Sequence, residues 1–272
     1  MSKIEEAMRR LQGDLAPRGV ERSLLDESGS DTGRRSRSGG IARMRESGLR
    51  EPAELDRLRL IYPGAPDTRT VNAFRQLRTS LLRRAGHRNF LLMVAGTGER
   101  AGGSFVAANL AAAIALDGTK TALLVDCDLG NPTSSHLALG DDEPLPGLTD
   151  FLNGFETAVE RIIHPTGVAR LRAIPAGRFV GAAQESFSGP QLRHLFDELL
   201  GRYPDRYIVV DAPAVADSAD ARILAELCNH VLLVVPYARN TAGQIESAVA
   251  AVPEEHFVGA VINDEPFWPL RD

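Results

Sequence analysis

The stretch Gly96-Thr97-Gly98-Glu99-Arg100-Ala101-Gly102-Gly103-Ser104 limits the folds open to this chain more than any other. A continuous apolar run, Phe90-Leu91-Leu92-Met93-Val94-Ala95, leads into it, and an alanine-rich run over residues 105–116 leads out. The first predicts a buried strand and the second a helix. Strand, glycine-rich turn and helix is the layout in which backbone N–H groups at a helix start face a phosphate. Gly98, Glu99, Arg100, Ala101, Gly102, Gly103 and Ser104 are therefore the candidate phosphate contacts, and the Ser104 hydroxyl is a candidate Mg²⁺ ligand. The pattern G-x-x-x-x-G-K-[ST] requires a lysine where Gly103 stands, and Thr97 occupies the place of its first glycine. The loop alone thus leaves open a glycine-rich turn that holds no ligand.

The rest of the chain supplies more strands of the same kind. Apolar runs at 121–125, 171–174, 207–210, 231–235 and 257–262 alternate with helical patterns at 69–85, 191–200, 218–228 and 241–251. Continuous rather than alternating apolar strands predict an α/β fold, a doubly wound and mostly parallel sheet covered on both faces in three layers. Ligands of such sheets bind beyond the carboxyl ends of the strands. That edge gathers the loop at 96–104, Asp126 and Asp128 after one strand, Asp211 after another, and Asn263 after the last. A carboxylate at position 211, beside the Ser104 hydroxyl, is placed to hold Mg²⁺. Asp126 and Asp128, two apart, are candidates for coordinating the metal or orienting a nucleophile.

Upstream the pattern fades. Residues 1–12 predict a short helix with Ile4, Met8 and Leu11 on one face, too short to persist without a partner. Residues 13–66, rich in Gly, Ser, Pro and Arg, predict a disordered linker, leaving 67–272 as the folded domain. The net charge of −5 gives no support for nucleic-acid binding. No apolar run reaches the roughly 18–20 residues of a membrane span, and the charged start does not suit a secretory leader. The two cysteines, Cys127 and Cys228, sit in apolar segments and are expected buried and reduced. These features suit a cytoplasmic protein.

Taken together, the motifs resemble those of the bacterial tyrosine kinases of capsular and exopolysaccharide synthesis, and more distantly the P-loop ATPases that position partitioning and division machinery. The resemblance spans residues 68–263. The loop and the following helix look like the family's phosphate loop. Residues 123–128 are similar to its second aspartate motif, hhhDxD, and 207–213 to its metal motif, hhhDxP. Pro146-Gly147-Leu148-Thr149-Asp150-Phe151-Leu152, Ile174-Pro175-Ala176-Gly177 and Asp220-Ala221-Arg222-Ile223-Leu224 match intermediate stretches. Arg75 and Arg78 fit the arginines of an oligomerisation helix, E-x-x-R-x-x-R. The resemblance implies ATP or ADP with Mg²⁺ as cofactors, with Ser104, Asp126, Asp128 and Asp211 around the metal. It also implies Asp126 as base toward a tyrosine hydroxyl and Asn263 near adenine. As partners it implies a membrane polysaccharide co-polymerase or an active kinase, which would bring the chain to the inner face of the membrane, and a homo-oligomer through helix 69–85.

The departures point the other way. Gly103 replaces the loop lysine, Asn72 the glutamate of the oligomerisation helix, and Gly130 an arginine. The tyrosine cluster near the C-terminus is missing. Lysine occurs only at Lys3 and Lys120, the first beyond the linker and the second at the opposite edge of the sheet, so Arg100 is the nearest replacement cation considered. The expectation is a degenerate, kinase-like regulator or scaffold with weakened or lost nucleotide binding. An active tyrosine kinase with an unusual loop and a partner-regulated ATPase are the alternatives.

Overall fold

The computed structural model describes residues 48–266 except 86–87, 141–144, 179–185, 203 and 217. The short helix expected over 1–12, and the linker as far as residue 47, lie outside the described residues.

Seven strands form one sheet in the order β3-β4-β2-β5-β1-β6-β7. They are β1 (Leu91–Gly96), β2 (Thr121–Asp126), β3 (His164–Pro165), β4 (Leu171–Ile174), β5 (Arg206–Ala212), β6 (His230–Pro236) and β7 (Phe257–Asn263). All neighbours pair in parallel except the two-residue β3, which runs antiparallel to β4. The two-residue period of a strand divides each apolar run between the faces. Leu92, Val94, Leu124, Val209, Leu232 and Val234 face one core. Leu91, Met93, Leu123, Val125, Ile208, Val210 and Leu233 face the other.

The helices are α1 (Pro52–Arg57), α2 (Thr68–Ala85), α3 (Gly103–Ala115), α4 (Thr133–Leu139), α5 (Leu148–Leu152), α6 (Pro190–Arg202), α7 (Ala219–Leu227) and α8 (Ala242–Ala250). Helix α3, which follows the glycine loop, is buried on every side from Val106 to Ala115. Its alanines let it lie close to the sheet while α2 covers its outer face, where Phe74 meets Phe105 edge-on at 6.0 Å. Helices α6 and α7 cover the second face through Leu192, Leu195, Phe196, Leu199, Ala221 and Leu224.

The expected linker over 13–66 is corrected in its last part. Residues 48–62 form a strap that packs on the α3 face, with Leu55, Leu60, Ile61 and Tyr62 buried in that core. Two polar anchors hold it. The Arg50 side chain donates to the carbonyls of Thr166 (2.8 Å) and Leu139, and its backbone N–H donates to Gly167 (2.9 Å). A Cβ on Gly167 would stand 2.5 Å from Arg50 Cγ, so this cradle needs glycine. Second, the fully buried Asn109 of α3 accepts from Ile61 N–H (2.8 Å) and donates to the Arg59 carbonyl (3.0 Å). These contacts join residues about fifty or more apart in sequence and have no local periodicity to announce them.

Candidate functional site

The loop between β1 and α3 is a tight structure. Gly96 closes β1, and a Cβ there would lie 2.7 Å from the Gly98 carbonyl oxygen. Thr97 donates its N–H to Val234 (2.9 Å) and its hydroxyl to Asn240 (3.0 Å), which ties the loop to β6 and the turn after it. Gly102, with φ +86°, takes the left-handed conformation just before α3, a position that suits glycine. Asn263, at the end of β7, donates its amide to the Ala101 carbonyl (3.0 Å) and fills the space beside Gly102. Expected near adenine, Asn263 does line the cleft, but its amide nitrogen is engaged in holding the loop.

Gly103 is the first residue of α3, and a Cβ on it would sit 3.3 Å from the backbone nitrogen of Gly96. The position admits a side chain only if the loop yields by a few tenths of an ångström. Lys120 lies at the amino end of β2, as expected, with Asp117 at 3.8 Å and the Tyr207 ring beneath it. It cannot serve the loop.

Residues 98–105 open onto a cleft of about 1200 Å³, also lined by Asp128, Gly130, Asn131, Pro213 and Asn263. The strap and the start of α2 form part of its wall, through Arg59, Leu60, Ile61, Asp67 and Thr70. Sequence reasoning missed this wall altogether.

Asp126 and Asp211 are register partners on adjacent strands, both fully buried. Asp126 accepts from the Ser135 N–H (2.9 Å) and hydroxyl and from the Asp128 N–H (3.2 Å). Burial pushes its pKa up to about 6, against the pull of Ser135. Asp211 differs: neither carboxylate oxygen makes a hydrogen bond of good geometry, nor does the Ser134 hydroxyl, although that hydroxyl and the one on Ser104 lie close enough to act on the carboxylate. Burial first, and then the charge of Asp126, hold Asp211 well above the usual carboxylate range, while the Ser104 and Ser134 hydroxyls lower it. Asp128 is half-buried and lines the cleft, its pKa raised by burial. The site thus has a satisfied inner carboxylate, an orphaned one, and an accessible one. Ser134 and Ser135, on α4, are residues the sequence reading did not pick out.

An orphaned buried carboxylate normally marks a missing partner. Among the described residues there is no cluster of three or more His, Cys, Asp or Glu that could hold a metal by itself. Mg²⁺, however, is commonly held by one or two carboxylates together with water and substrate phosphates. Asp211, the Ser104 hydroxyl and the loop N–H groups fit a Mg²⁺-bound nucleotide; the loop lysine is the element they lack.

Arg75 is exposed on α2, whereas Arg78 donates to the Ala113 carbonyl near the end of α3 (3.0 Å). The two expected oligomerisation arginines therefore differ: one is free to face outward, and the other docks α2 on its neighbour. Cys127 and Cys228 are both buried and free, as expected. Among the described residues no helix is long and apolar enough to cross a membrane.

No family model matches the chain. Over 193 residues, 70% of this chain and 25% of the other, it is 36% identical to the putative tyrosine-protein kinase EpsB of Ralstonia solanacearum. It is 31% identical to the tyrosine-protein kinase wzc of Salmonella typhi over 70% of this chain and 26% of that protein. The chain thus spans about a quarter of the length of these relatives. Among solved structures, the kinase domain of the Escherichia coli tyrosine kinase ETK superposes with a TM-score of 0.66 at 26% identity, covering 74% of this chain and 78% of that one. A ParA family ATPase from Chlorobium tepidum shares the fold more distantly, with a TM-score of 0.51 at 17% identity over 64% of this chain and 74% of that one.

Proposed function

Because the chain belongs to the bacterial tyrosine-kinase family, we propose that it is a kinase-fold regulator or scaffold of exopolysaccharide synthesis or export, with weakened or lost nucleotide binding and little or no phosphoryl transfer. The observation that carries this reading is Gly103. A glycine occupies the first position of α3, packed toward Gly96, and Lys120 is fixed at the far end of the sheet. Losing one charge-assisted hydrogen bond weakens binding roughly 10- to 150-fold. Losing a preorganised transition-state donor costs on the order of 10²–10³ in rate. The same step therefore leaves a binding site in place and takes away most of a catalyst. Asp126 adds to this: sealed from the cleft and engaged by Ser135, it is poorly placed to receive a tyrosine proton.

When bound, Mg²⁺ would supply positive charge to phosphate oxygens; Asp211 and Ser104 are the residues that would hold it, and the loop N–H groups would hold phosphate. The protein acts through its surfaces, in the cytoplasm, on a membrane co-polymerase or an active kinase, with self-association through α2 and the exposed Arg75 as a further contact. Two assays test the reading. Labelled γ-phosphate is expected to stay out of tyrosine, and Asp126→Asn and Asp211→Asn are expected to restore polysaccharide in a strain lacking the gene. Phosphotyrosine that disappears with both substitutions would make the chain an active kinase instead. A partner-regulated ATPase is favoured by one observation, the orphaned Asp211, and steady phosphate release without phosphotyrosine would identify it.

A further inference from the structure

The cleft has two arginines that no carboxylate or carbonyl engages among the described residues, Arg59 and Arg100. Arg100 rides on the loop. Arg59 belongs to the strap, and its backbone is fixed by Asn109, which grips the Arg59 carbonyl and the Ile61 N–H together. Asn109 is on α3, the helix that begins at Gly103. Its amide also donates to the Phe105 carbonyl (3.0 Å), so the grip lies a turn closer to the loop than Asn109 itself. Residue 59 is therefore held in register with the start of α3, although it is more than forty residues away in sequence.

Three further features bear on this residue. Arg59 has φ +55°, a conformation that a non-glycine residue holds only when its surroundings enforce it. The acidic side chains nearest it in the chain have other partners: Asp56 accepts from the Tyr62 hydroxyl (3.0 Å), Glu54 pairs with Arg50 (2.8 Å), and Asp67 accepts from the Thr70 N–H (3.0 Å). An exposed guanidinium thus stays unneutralised in the cleft onto which the phosphate loop opens.

We propose that Arg59 supplies, from the strap, the phosphate-holding cation that the loop lacks at Gly103. The ligand class is the polyphosphate of a nucleoside di- or triphosphate, and the proposal rests on the reading that this cleft takes Mg-nucleotide weakly. A guanidinium binds phosphate oxygens through a planar fork, where a lysine offers a point charge. Arg59 thus retains phosphate in the cleft without reproducing the lysine's place at the helix start.

The test is calorimetric titration of Mg-ATP, Mg-ADP and AMP into the full chain. Arg59→Ala and Arg59→Gly are expected to weaken Mg-ATP about 10- to 100-fold. AMP binding should be unchanged, and Arg59→Lys should recover part of the loss. Glycine relieves the positive φ, so that variant keeps the fold safe, and melting without nucleotide checks it. Arg57→Ala, an exposed arginine on the same strap, should bind as wild type. The proposal is overturned if both Arg59 variants bind Mg-ATP like wild type, if AMP is lost equally, or if Arg100→Ala carries the loss instead. Absence of any wild-type binding at millimolar Mg-ATP also overturns it, while leaving the scaffold reading standing. Phosphotyrosine formed by the wild-type chain would sink the scaffold reading and leave the Arg59 comparison intact, so the two failures are told apart.

Discussion

Asp150 and Asp211 are both fully buried carboxylates in one domain, and they live in opposite circumstances. Asp150, in the turn of α5, accepts from the Gly147 N–H (2.9 Å), from the Arg178 N–H (3.0 Å), and from the Arg178 guanidinium through Nε and Nη2 (both 2.8 Å). These donors hold its pKa below the usual range despite burial. Asp211, at the end of β5, has no well-formed hydrogen bond on either oxygen, only the nearby Ser104 and Ser134 hydroxyls, and its pKa is raised. The first closes a turn with the protein's own groups. The second is left incomplete by the protein, which is how a ligand position differs from a structural one.

The largest effect should come from the satisfied member. Asp150→Asn removes the charge that pairs with Arg178 and turns one accepting oxygen into a donor, so either the guanidinium or the two backbone N–H groups lose their acceptor, and we expect a loss of about 2–4 kcal/mol. That corresponds to a fall in melting temperature on the order of 10 °C for a domain of this size. A variant that melts with the wild type would erase the contrast between the two carboxylates.

Next in size is the dependence on pH. Asp126 rises from 3.8 to about 6 on folding, and Asp211 is raised as well. Folded groups that hold their protons more tightly stabilise the fold at low pH and lose that contribution as pH climbs through the folded pKa. Without ligand, stability should therefore decline between about pH 4 and 7, by on the order of 1–3 kcal/mol. Asp150, with its pKa lowered, has the opposite sign: its contribution is present above the unfolded value and is lost only as pH drops below it. Melting curves across pH 3 to 8 check both signs, and a stability that rises steadily from pH 4 to 7 would reverse the assignment at the strand ends.

Smaller still is the effect of Asp211→Asn on the ligand-free chain. Replacing a buried carboxyl that makes no good hydrogen bond by an amide of the same shape should leave the stability at pH 8 equal to wild type or higher by about 1 kcal/mol. The rise in melting temperature on adding Mg-ATP should vanish. Smallest for stability is Gly103→Lys, within about 1 kcal/mol, because its Cβ meets the Gly96 nitrogen at 3.3 Å and needs only a slight shift. Its effect on Mg-ATP affinity should be a gain of roughly 10- to 150-fold. A lysine variant that melts far below wild type would mean that the loop can no longer make room.

Much of this architecture was legible in the sequence because it is written in local patterns. The six main strands are near-continuous apolar runs, each closed by a polar residue or a turn, and the helices between them have clear apolar stripes. The parallel sheet and the gathering of loop, Asp126, Asp128, Asp211 and Asn263 at one edge followed from that alternation. The two-residue β3 and the short α4 have too few residues to show a period. The strap escaped for a different reason: residues 48–62 pack through Asn109, Gly167 and the carbonyls of Thr166 and Leu139, none of which is near them in the chain. The composition of the whole 13–66 stretch, rich in Gly, Ser, Pro and Arg, suggested disorder, yet Arg50 and Arg59 near its end are residues the fold fixes. The contrast between Asp126 and Asp211 was also unreadable, since both end apolar strands and only the position of α4, with Ser135, tells them apart.

The Arg50 cradle has a practical consequence for anyone who dissects this chain. The motifs invite a cut near residue 60 or 67, just ahead of the first strong helix. Such a fragment would keep every signature of the phosphate loop while losing Arg50, Leu55 and Arg59, and would bare the apolar surface they cover. Its behaviour in solution would report on a wound rather than on a domain, and a loss of nucleotide affinity in it would be mistaken for decay of the loop. The smallest faithful piece starts ahead of residue 48.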